Sequence, residues 1–441
     1  MNLDRFKNFE QDVRELVLDF EKQRESGGAY FDVEQIEVIA DYYLEVYDVE
    51  GLESAVLLGE QLFPTSNEIR LRRAHLLGIQ GQYPQALAIL KRLERTEPDN
   101  TDVFYALATL YSLTNQGDKA ISYYLKTASD GYQLDMVYGN IGDEYYRLGK
   151  TNEAISYYRK SIAINPDESR SLYNLACLWD HQGFDHKAQA FFSQLVADHP
   201  FSKNGWYCLG IVYSWLSLFE KATDAFEYAI AIDKTFVQAY LGLSECYNHL
   251  GNTARAVQAL RDSLDYTSDR PHILYLIGHI YLQQCNYHTA STYYHDALKE
   301  DPSYSSAWDD LGYCSEMLGY IDEAAGYYRR AIDLEPDNDI HWLRLVRLYV
   351  RTQRYAEACA LLESSRADAT DRFAFDTNLL YCYYKLGHRN RLFALLREDA
   401  VEFGSLYPSL YSYYPEFSND IEIVNYINSF KKPNTKSDAY E

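Results

Sequence analysis

Small and large apolar residues in this chain fall on a fixed lattice with a period of 34 residues. One alanine recurs at Ala86, Ala120, Ala154, Ala188, Ala222, Ala256, Ala290, Ala324 and Ala358, with no insertion between them. Twelve residues before it stands a small residue: Ala74, Ala108, Gly142, Ala176, Gly210, Ser244, Gly278 or Gly312. One place ahead of the small residue lies a leucine or isoleucine, as in Leu107, Ile141 and Leu175. Three places behind it comes a large ring, as in Tyr111, Tyr145, Trp179 and Tyr213, with Leu77 and Ser315 as exceptions. Four places beyond the alanine a bulky group follows, as in Tyr124, Tyr158, Phe192 and Phe226.

Spacings of three and four place these residues on one stripe of a helix. The stripe occurs twice in each period, split by a turn at Gly81, Gly149, Gly183, Gly251, Gly319 or Gly387. The pattern therefore predicts two antiparallel helices per unit and an all-α fold. Small residues on both helices let the two backbones approach, and the large ones fill the space toward the next unit. Pro98, Pro166, Pro200, Pro302 and Pro336 end the second helix and start the next unit. A period in this range marks a solenoid, in which each unit packs only on its neighbours.

The boundaries follow in chain order. Residues 1–32 are expected to hold a capping helix, with Leu3, Phe6, Phe9, Val13, Leu16, Val17 and Phe20 on one side and Ser26-Gly27-Gly28 at its end. The array is expected over 33–406, eleven units by arithmetic. Its first and last units are degenerate, with Leu52 and Leu392 where the alanine should stand. Residues 407–433 read as an aromatic loop, then a C-terminal capping helix. Ser418 or Asn419 is its expected N-cap, and Ile421, Val424, Ile427 and Phe430 its apolar face. Residues 434–441 read as a disordered tail.

The alternation of small and large places resembles the tetratricopeptide repeat (TPR) over about nine-tenths of the chain. The resemblance implies a right-handed superhelix of about eleven helix-turn-helix units whose concave face is lined by the first helix of each unit. It also implies a ligand: an extended peptide or helix of a partner protein held on that face. Carried over by position, the binding residues are Asp143, Tyr146, Arg147, Tyr173, Asp180, His181, Tyr207, Trp215, His249, Tyr275, His279 and Tyr313, with Arg347 and Arg351 at the basic end. Tyr173, Tyr207 and Tyr275 share one place in their units; Trp215, His181 and His249 share another. Tyrosine and tryptophan offer apolar area with a polar tip at little entropic cost. Packing between units is the competing role for the same side chains. The lysine and asparagine set with which some TPR domains grip the carboxylate tail of a chaperone is not found here.

Charge narrows the partner class. With 41 Lys and Arg against 65 Asp and Glu the formal net charge is −24, which disfavours nucleic acid and anionic membrane surfaces. Residues 1–66 hold five basic and sixteen acidic residues, while Arg344, Arg347, Arg351 and Arg354 follow one side of a helix near the other end. Such a gradient would orient a ligand, its basic end taking a carboxylate or phosphate. The remaining Asp and Glu are expected to face solvent. The seven cysteines stand singly, without a CxxC pair, as in a reducing compartment. The start of the chain has acidic residues where a secretion signal needs an apolar run, and no stretch reads as inserting into a membrane. A cytoplasmic protein is expected.

No phosphate-binding, nucleophile-elbow or zinc-protease motif appears. His249, His272 and His279 with Glu245 are the one group that invites a metal. Histidines seven apart stand ~10 Å apart along a helix, too far to share an ion without a third group between them. No cofactor and no catalysis are expected. The reading is a protein-interaction scaffold; the alternative is a receptor for a short peptide, sugar or anion in the same groove.

Overall fold

A computed structural model describes residues 13–23, 30–131, 133–183, 185–398, 403–404 and 406–429. These residues are helices and turns, with no strand among them. The chain divides into two compact units, residues 1–234 and 235–441, and each is taken by itself.

The first unit opens with α1, helical at residues 13–23. Six antiparallel helix pairs follow. They are α2 (Val33–Glu45) with α3 (Val49–Leu62), α4 (Asn67–Ile79) with α5 (Tyr83–Thr96), and α6 (Thr101–Leu113) with α7 (Gly117–Thr127). Then come α8 (Leu134–Arg147) with α9 (Thr151–Ile164), α10 (Ser169–His181) with α11 (Asp185–Asp198), and α12 (Lys203–Trp215) with α13 (Phe219–Ile232). Phe20 of α1 is buried against Phe31 and Tyr43, at ring distances of 5.8 and 6.1 Å. The rest of the expected capping face, Leu3, Phe6 and Phe9, and the Ser26-Gly27-Gly28 stop lie outside the described residues.

The second unit holds five pairs. They are α14 (Val237–His249) with α15 (Thr253–Ser263), α16 (Arg270–Gln283) with α17 (Tyr287–Glu300), and α18 (Ser305–Leu318) with α19 (Ile321–Leu334). The last two are α20 (Asp339–Arg351) with α21 (Tyr355–Ser365), and α22 (Arg372–Lys385) with α23 (Arg389–Glu398). Beyond Leu406 the chain is not the loop that its aromatic content suggested. Turns of 3-10 helix at Tyr407–Ser409 and Pro415–Asn419 flank α24 (Leu410–Tyr413), and α25 (Ile421–Asn428) follows. The rings order this segment: Tyr414 stacks on Tyr381 at 3.7 Å, and the Tyr407 hydroxyl donates to the Leu396 carbonyl at 2.6 Å.

Two details of that cap correct the sequence reading. The N-cap of α25 is Asp420, whose carboxylate accepts from the Glu422 and Ile423 amides, rather than Ser418 or Asn419. Ile427 is buried as expected, but Ile421 is 77% exposed and Ile423 takes its place on the buried face. A carboxylate at the cap is favoured because it also meets the positive end of the helix. Phe430 and residues 434–441 lie outside the described residues.

The lattice has a steric origin. A Cβ added to Gly142 would sit 2.6 Å from the Tyr158 ring, and the same holds at 2.6 to 2.8 Å for Gly210 on Phe226, Gly278 on Tyr294 and Gly312 on Tyr328. Each glycine is thus the socket for the ring sixteen residues later. Where the lattice puts Val346 in place of a small residue, the residue sixteen on is Leu362 rather than a ring, and both are fully buried. The pair keeps its volume while its members trade size.

The turns between paired helices carry a second, less visible period. The left-handed residues are Tyr47, Gly81, Asn115, Gly149, Gly183, Ser217, Gly251, Cys285, Gly319, Gln353 and Gly387, with φ between 55° and 86°, each 34 after the last. Five of these eleven are not glycine and gave no signal in the sequence. The chain reverses there through a 6→1 hydrogen bond, such as Gln116 N to the Tyr111 carbonyl and Lys150 N to the Tyr145 carbonyl, both 2.8 Å.

Candidate functional site

The candidate residues sit on the first helix of each pair. Helical spacing puts the second, fifth, ninth, twelfth and thirteenth places of that helix on one face. Ligand contact and packing between pairs compete for the side chains at these places. Many carry structural bonds: within each unit, a ladder of polar contacts 30 to 35 residues apart joins several first helices to the next.

In the first unit the ladder centres on Asp143 of α8. Its Oδ1 accepts from the Tyr158 hydroxyl at 2.7 Å and from the Asn174 amide at 2.9 Å, and its Oδ2 lies 3.4 Å from Arg170. Arg170 also donates to Asn140 at 2.8 Å, and Asn140 to the Tyr105 hydroxyl at 3.2 Å. Arg147 pairs with the buried Glu144 at 3.0 Å and donates to Ser112 at 2.9 Å. Asp143 and Arg147 are therefore joints between pairs. Burial of Tyr158, and then the Asp143 carboxylate beside it, push the phenol well above its usual range.

The second unit repeats the arrangement with more charge. Asp309 and Asp310 of α18 are buried, and Arg344 of α20 bridges them at 2.8 and 3.1 Å. The Tyr275 hydroxyl donates to Asp310 at 3.0 Å, and His279 Nδ1 lies 3.8 Å from the same carboxylate. Burial opposes ionisation of Asp310, but His279, Arg344 and Tyr275 outweigh it and hold its pKa below the ordinary value. His341, almost wholly buried, lies 3.1 Å from Asp309 and 3.3 Å from Glu335. Desolvation would depress the imidazole, yet the two carboxylates prevail and raise its pKa. Arg351 pairs with the buried Glu316 at 2.9 Å, and Tyr328 donates to the same carboxylate at 3.0 Å.

The expectation that Asp and Glu face solvent is thereby overturned for Glu144, Asp309, Asp310, Glu316 and Asp376, all of them buried. One signal would have found part of this. The twelfth place of one first helix bonds the thirteenth of the next: Ser112 with Arg147, Asn248 with Gln283, Glu316 with Arg351, each 35 residues apart.

The arginine stripe of α20 dissolves in the same way. Arg344 and Arg351 are bound to buried acids, and Arg354 pairs with Glu357 and Asp322. Arg347 is exposed and has no hydrogen-bond or ion-pair partner among the described residues.

Aromatic candidates divide too. Tyr275 is held among Tyr294, Tyr304 and His279, and Tyr207 is half-buried against Phe226 at 5.8 Å. Tyr313 is half-buried, edge-on to Tyr287 with the Arg344 guanidinium 6.0 Å from its ring. Those three rings are packing elements, so of Tyr173, Tyr207 and Tyr275, which share one place in their repeats, only Tyr173 stays largely exposed. Tyr146, Tyr173 and Trp215, by contrast, are 51%, 48% and 38% exposed on α8, α10 and α12. Asp180, His181 and His249 are exposed beside them or in the second unit, with His249 4.0 Å from Glu245. Among the described residues no three His, Cys, Asp or Glu side chains converge to hold a metal ion. His272 Nδ1 meets the Tyr304 hydroxyl at 3.1 Å instead. No described helix is long and apolar enough to cross a membrane.

Comparison with known proteins matches three stretches. Residues 79–130 and 136–168 match tetratricopeptide repeat models, and residues 206–364 match the tetratricopeptide repeat protein 21 C-terminal ARM domain. The chain is 30% identical over 118 residues to the photosystem I assembly protein Ycf3 of Dioscorea elephantipes, covering 22% of this chain and 68% of that protein. It is 22% identical over 254 residues to the human protein O-mannosyl-transferase TMTC1, covering 57% of this chain and 25% of the transferase. It spans only 15% of the tetratricopeptide repeat-containing protein trd-1 of Caenorhabditis elegans, at 25% identity. Among solved structures, the Cut9-Hcn1 hetero-tetramer of APC/C aligns over 97% of this chain and 95% of that one, at 14% identity and a TM-score of 0.36. With its helix pairs, its 34-residue lattice and these matches, the chain belongs to the tetratricopeptide repeat family.

Proposed function

We propose that this protein is a non-enzymatic scaffold that holds a peptide or helix of a partner protein against the first-helix faces. The observation that carries the proposal is the division of labour on those faces. Asp143, Arg147 and Arg170 are consumed in joining successive pairs. Between them Met136, Tyr146, Tyr173 and Trp215 remain 38 to 51% exposed on three successive first helices. Rigid, amphipathic side chains on a polar framework fixed by its own hydrogen bonds lose little entropy when they meet a partner. The buried acids, each compensated by a cation, phenol or hydroxyl, serve cohesion rather than proton transfer. A net charge of −24 favours a protein partner over nucleic acid, and seven unpaired cysteines fit the reducing cytoplasm.

The test is affinity capture with the full chain beside the Tyr146→Ala/Tyr173→Ala double variant. The proposal expects one stoichiometric protein partner, lost in the double variant while helicity and thermal midpoint stay unchanged. Equal capture by both proteins would refute it. The alternative, a receptor for a short peptide, sugar or anion, has one observation in its favour: a cavity in the second unit beside Arg347.

A further inference from the structure

That cavity holds about 300 Å³ and is a half-open cleft lined by α20, α22 and the α24 segment, its volume at the lower end of the range in which small-molecule sites fall. Its charge can be counted. Arg351 lines it, but its guanidinium is neutralised by Glu316 at 2.9 Å. Arg347 lines it without a counter-ion among the described residues. The site therefore carries one uncompensated positive charge.

Its other polar groups are mostly spent. Asn378 donates to the Ala374 carbonyl at 2.7 Å and accepts from the Tyr414 hydroxyl at 2.6 Å. The exception is Thr377, a lining residue that is 3% exposed and whose hydroxyl is buried with no hydrogen-bond partner. Buried hydroxyls normally find a partner, so the orphan donor beside an unpaired guanidinium is a second, independent mark of a ligand site. The rest of the lining is apolar: Val350, Ala374 and the ring of Tyr413, which is 62% exposed.

We propose that this pocket binds a monoanionic carboxylate joined to an apolar or aromatic group. Arg347 supplies the charge and Thr377 a hydrogen bond, and Tyr413 with Val350 covers the apolar part. A phosphate dianion is disfavoured, because only one of the two guanidiniums is free to neutralise it. The inference deepens the scaffold reading by naming the chemistry taken at one end of the second unit, but its test needs no protein partner.

The probes are 3-phenylpropionate, its neutral amide and phenyl phosphate, followed on the full chain by saturation-transfer NMR with competition. Phenylpropionate is expected to bind about tenfold tighter than the amide, one charge-assisted contact, and no weaker than phenyl phosphate. Arg347→Gln should remove that tenfold preference and Thr377→Val should weaken binding, with the circular dichroism spectrum unchanged. Arg95→Gln, an equal charge change in the first unit, should do neither. Two acetylated tripeptides, Ala-Leu-Glu amide and Ala-Gln-Leu free acid, then tell a side-chain carboxylate from a chain terminus. Equal binding of acid and amide, tighter binding of phenyl phosphate, or a preference that survives Arg347→Gln would overturn the proposal. Failure of the pocket leaves the aromatic face of the first unit to be judged by its own capture experiment.

Discussion

Replacing Asp143 with alanine should open the helices around it, although its place on α8 suggests a ligand contact. The magnitude follows from its three bonds. The Tyr158 ring is fully buried and its hydroxyl donates to Asp143 at 2.7 Å. Leaving that hydroxyl without its acceptor costs about 1–3 kcal/mol. The Asn174 amide, half-exposed, turns to water at little cost. The Arg170 pair is 44% exposed on the arginine side and contributes about 0–1 kcal/mol after solvent screening. Alanine returns about 0.5 kcal/mol of helix propensity. The net is a loss of about 1–3 kcal/mol, confined to α8, α9 and α10. Hydrogen-exchange mass spectrometry reads this as faster exchange in those three helices, with α2 and α3 unchanged. Asp143→Asn, which keeps one acceptor, should fall between. Tyr146→Ala and Tyr173→Ala should change exchange by the equivalent of less than about 0.5 kcal/mol. If Asp143→Ala exchanges like the parent, or Tyr173→Ala opens α10 as widely, the separation of joint from ligand residues is wrong.

Three further outcomes test other parts of the structure. Gly142→Ala places a methyl 2.6 Å from the Tyr158 ring and should destabilise by about 1–3 kcal/mol in urea unfolding. Ser217→Gly and Cys285→Gly relieve left-handed residues at φ 56° and 55° and should each raise stability by about 0.5–1 kcal/mol, measured the same way. His341 has its pKa raised in the folded state by Asp309 and Glu335 against the pull of burial. Its contribution is therefore full below the unfolded value of about 6.5 and is lost as pH rises through the folded value. Exchange in α20 should quicken over that window, and His341→Leu should flatten the dependence.

The helix pairs were legible because volume wrote them into the sequence. Gly142 and Tyr158, or Gly312 and Tyr328, are two halves of one steric fit repeated at a constant interval. The turns were legible only where glycine fills them. At Tyr47, Ser217, Cys285 and Gln353 the neighbouring helices impose the left-handed conformation on residues that do not favour it, while Asn115 tolerates it. The binding face was half legible. Its places could be numbered, but whether a polar side chain there points to a ligand or to the next helix depends on one partner about 35 residues away. Arg147, Arg351, Tyr275 and His279 found such partners; Tyr146, Tyr173 and Trp215 stay largely exposed. Asp309, Asp310 and Glu316 were misjudged because a carboxylate is read as solvated until its arginine, here Arg344 or Arg351 on the next first helix, is seen beside it. The α24 segment was misjudged because its aromatic residues form no helical stripe; the chain orders there as Tyr414 stacks on Tyr381 and Phe417 meets Tyr381 and Tyr384 edge-on.

The most direct measurement is photo-crosslinking in cells with a benzophenone amino acid placed singly at 146, at 173, and at 125. Leu125 is 44% exposed but lies on the second helix of its pair. The account predicts the same discrete adduct with one partner protein from 146 and from 173, and none from 125. Adducts of equal strength from 125, or none from 173, would contradict it.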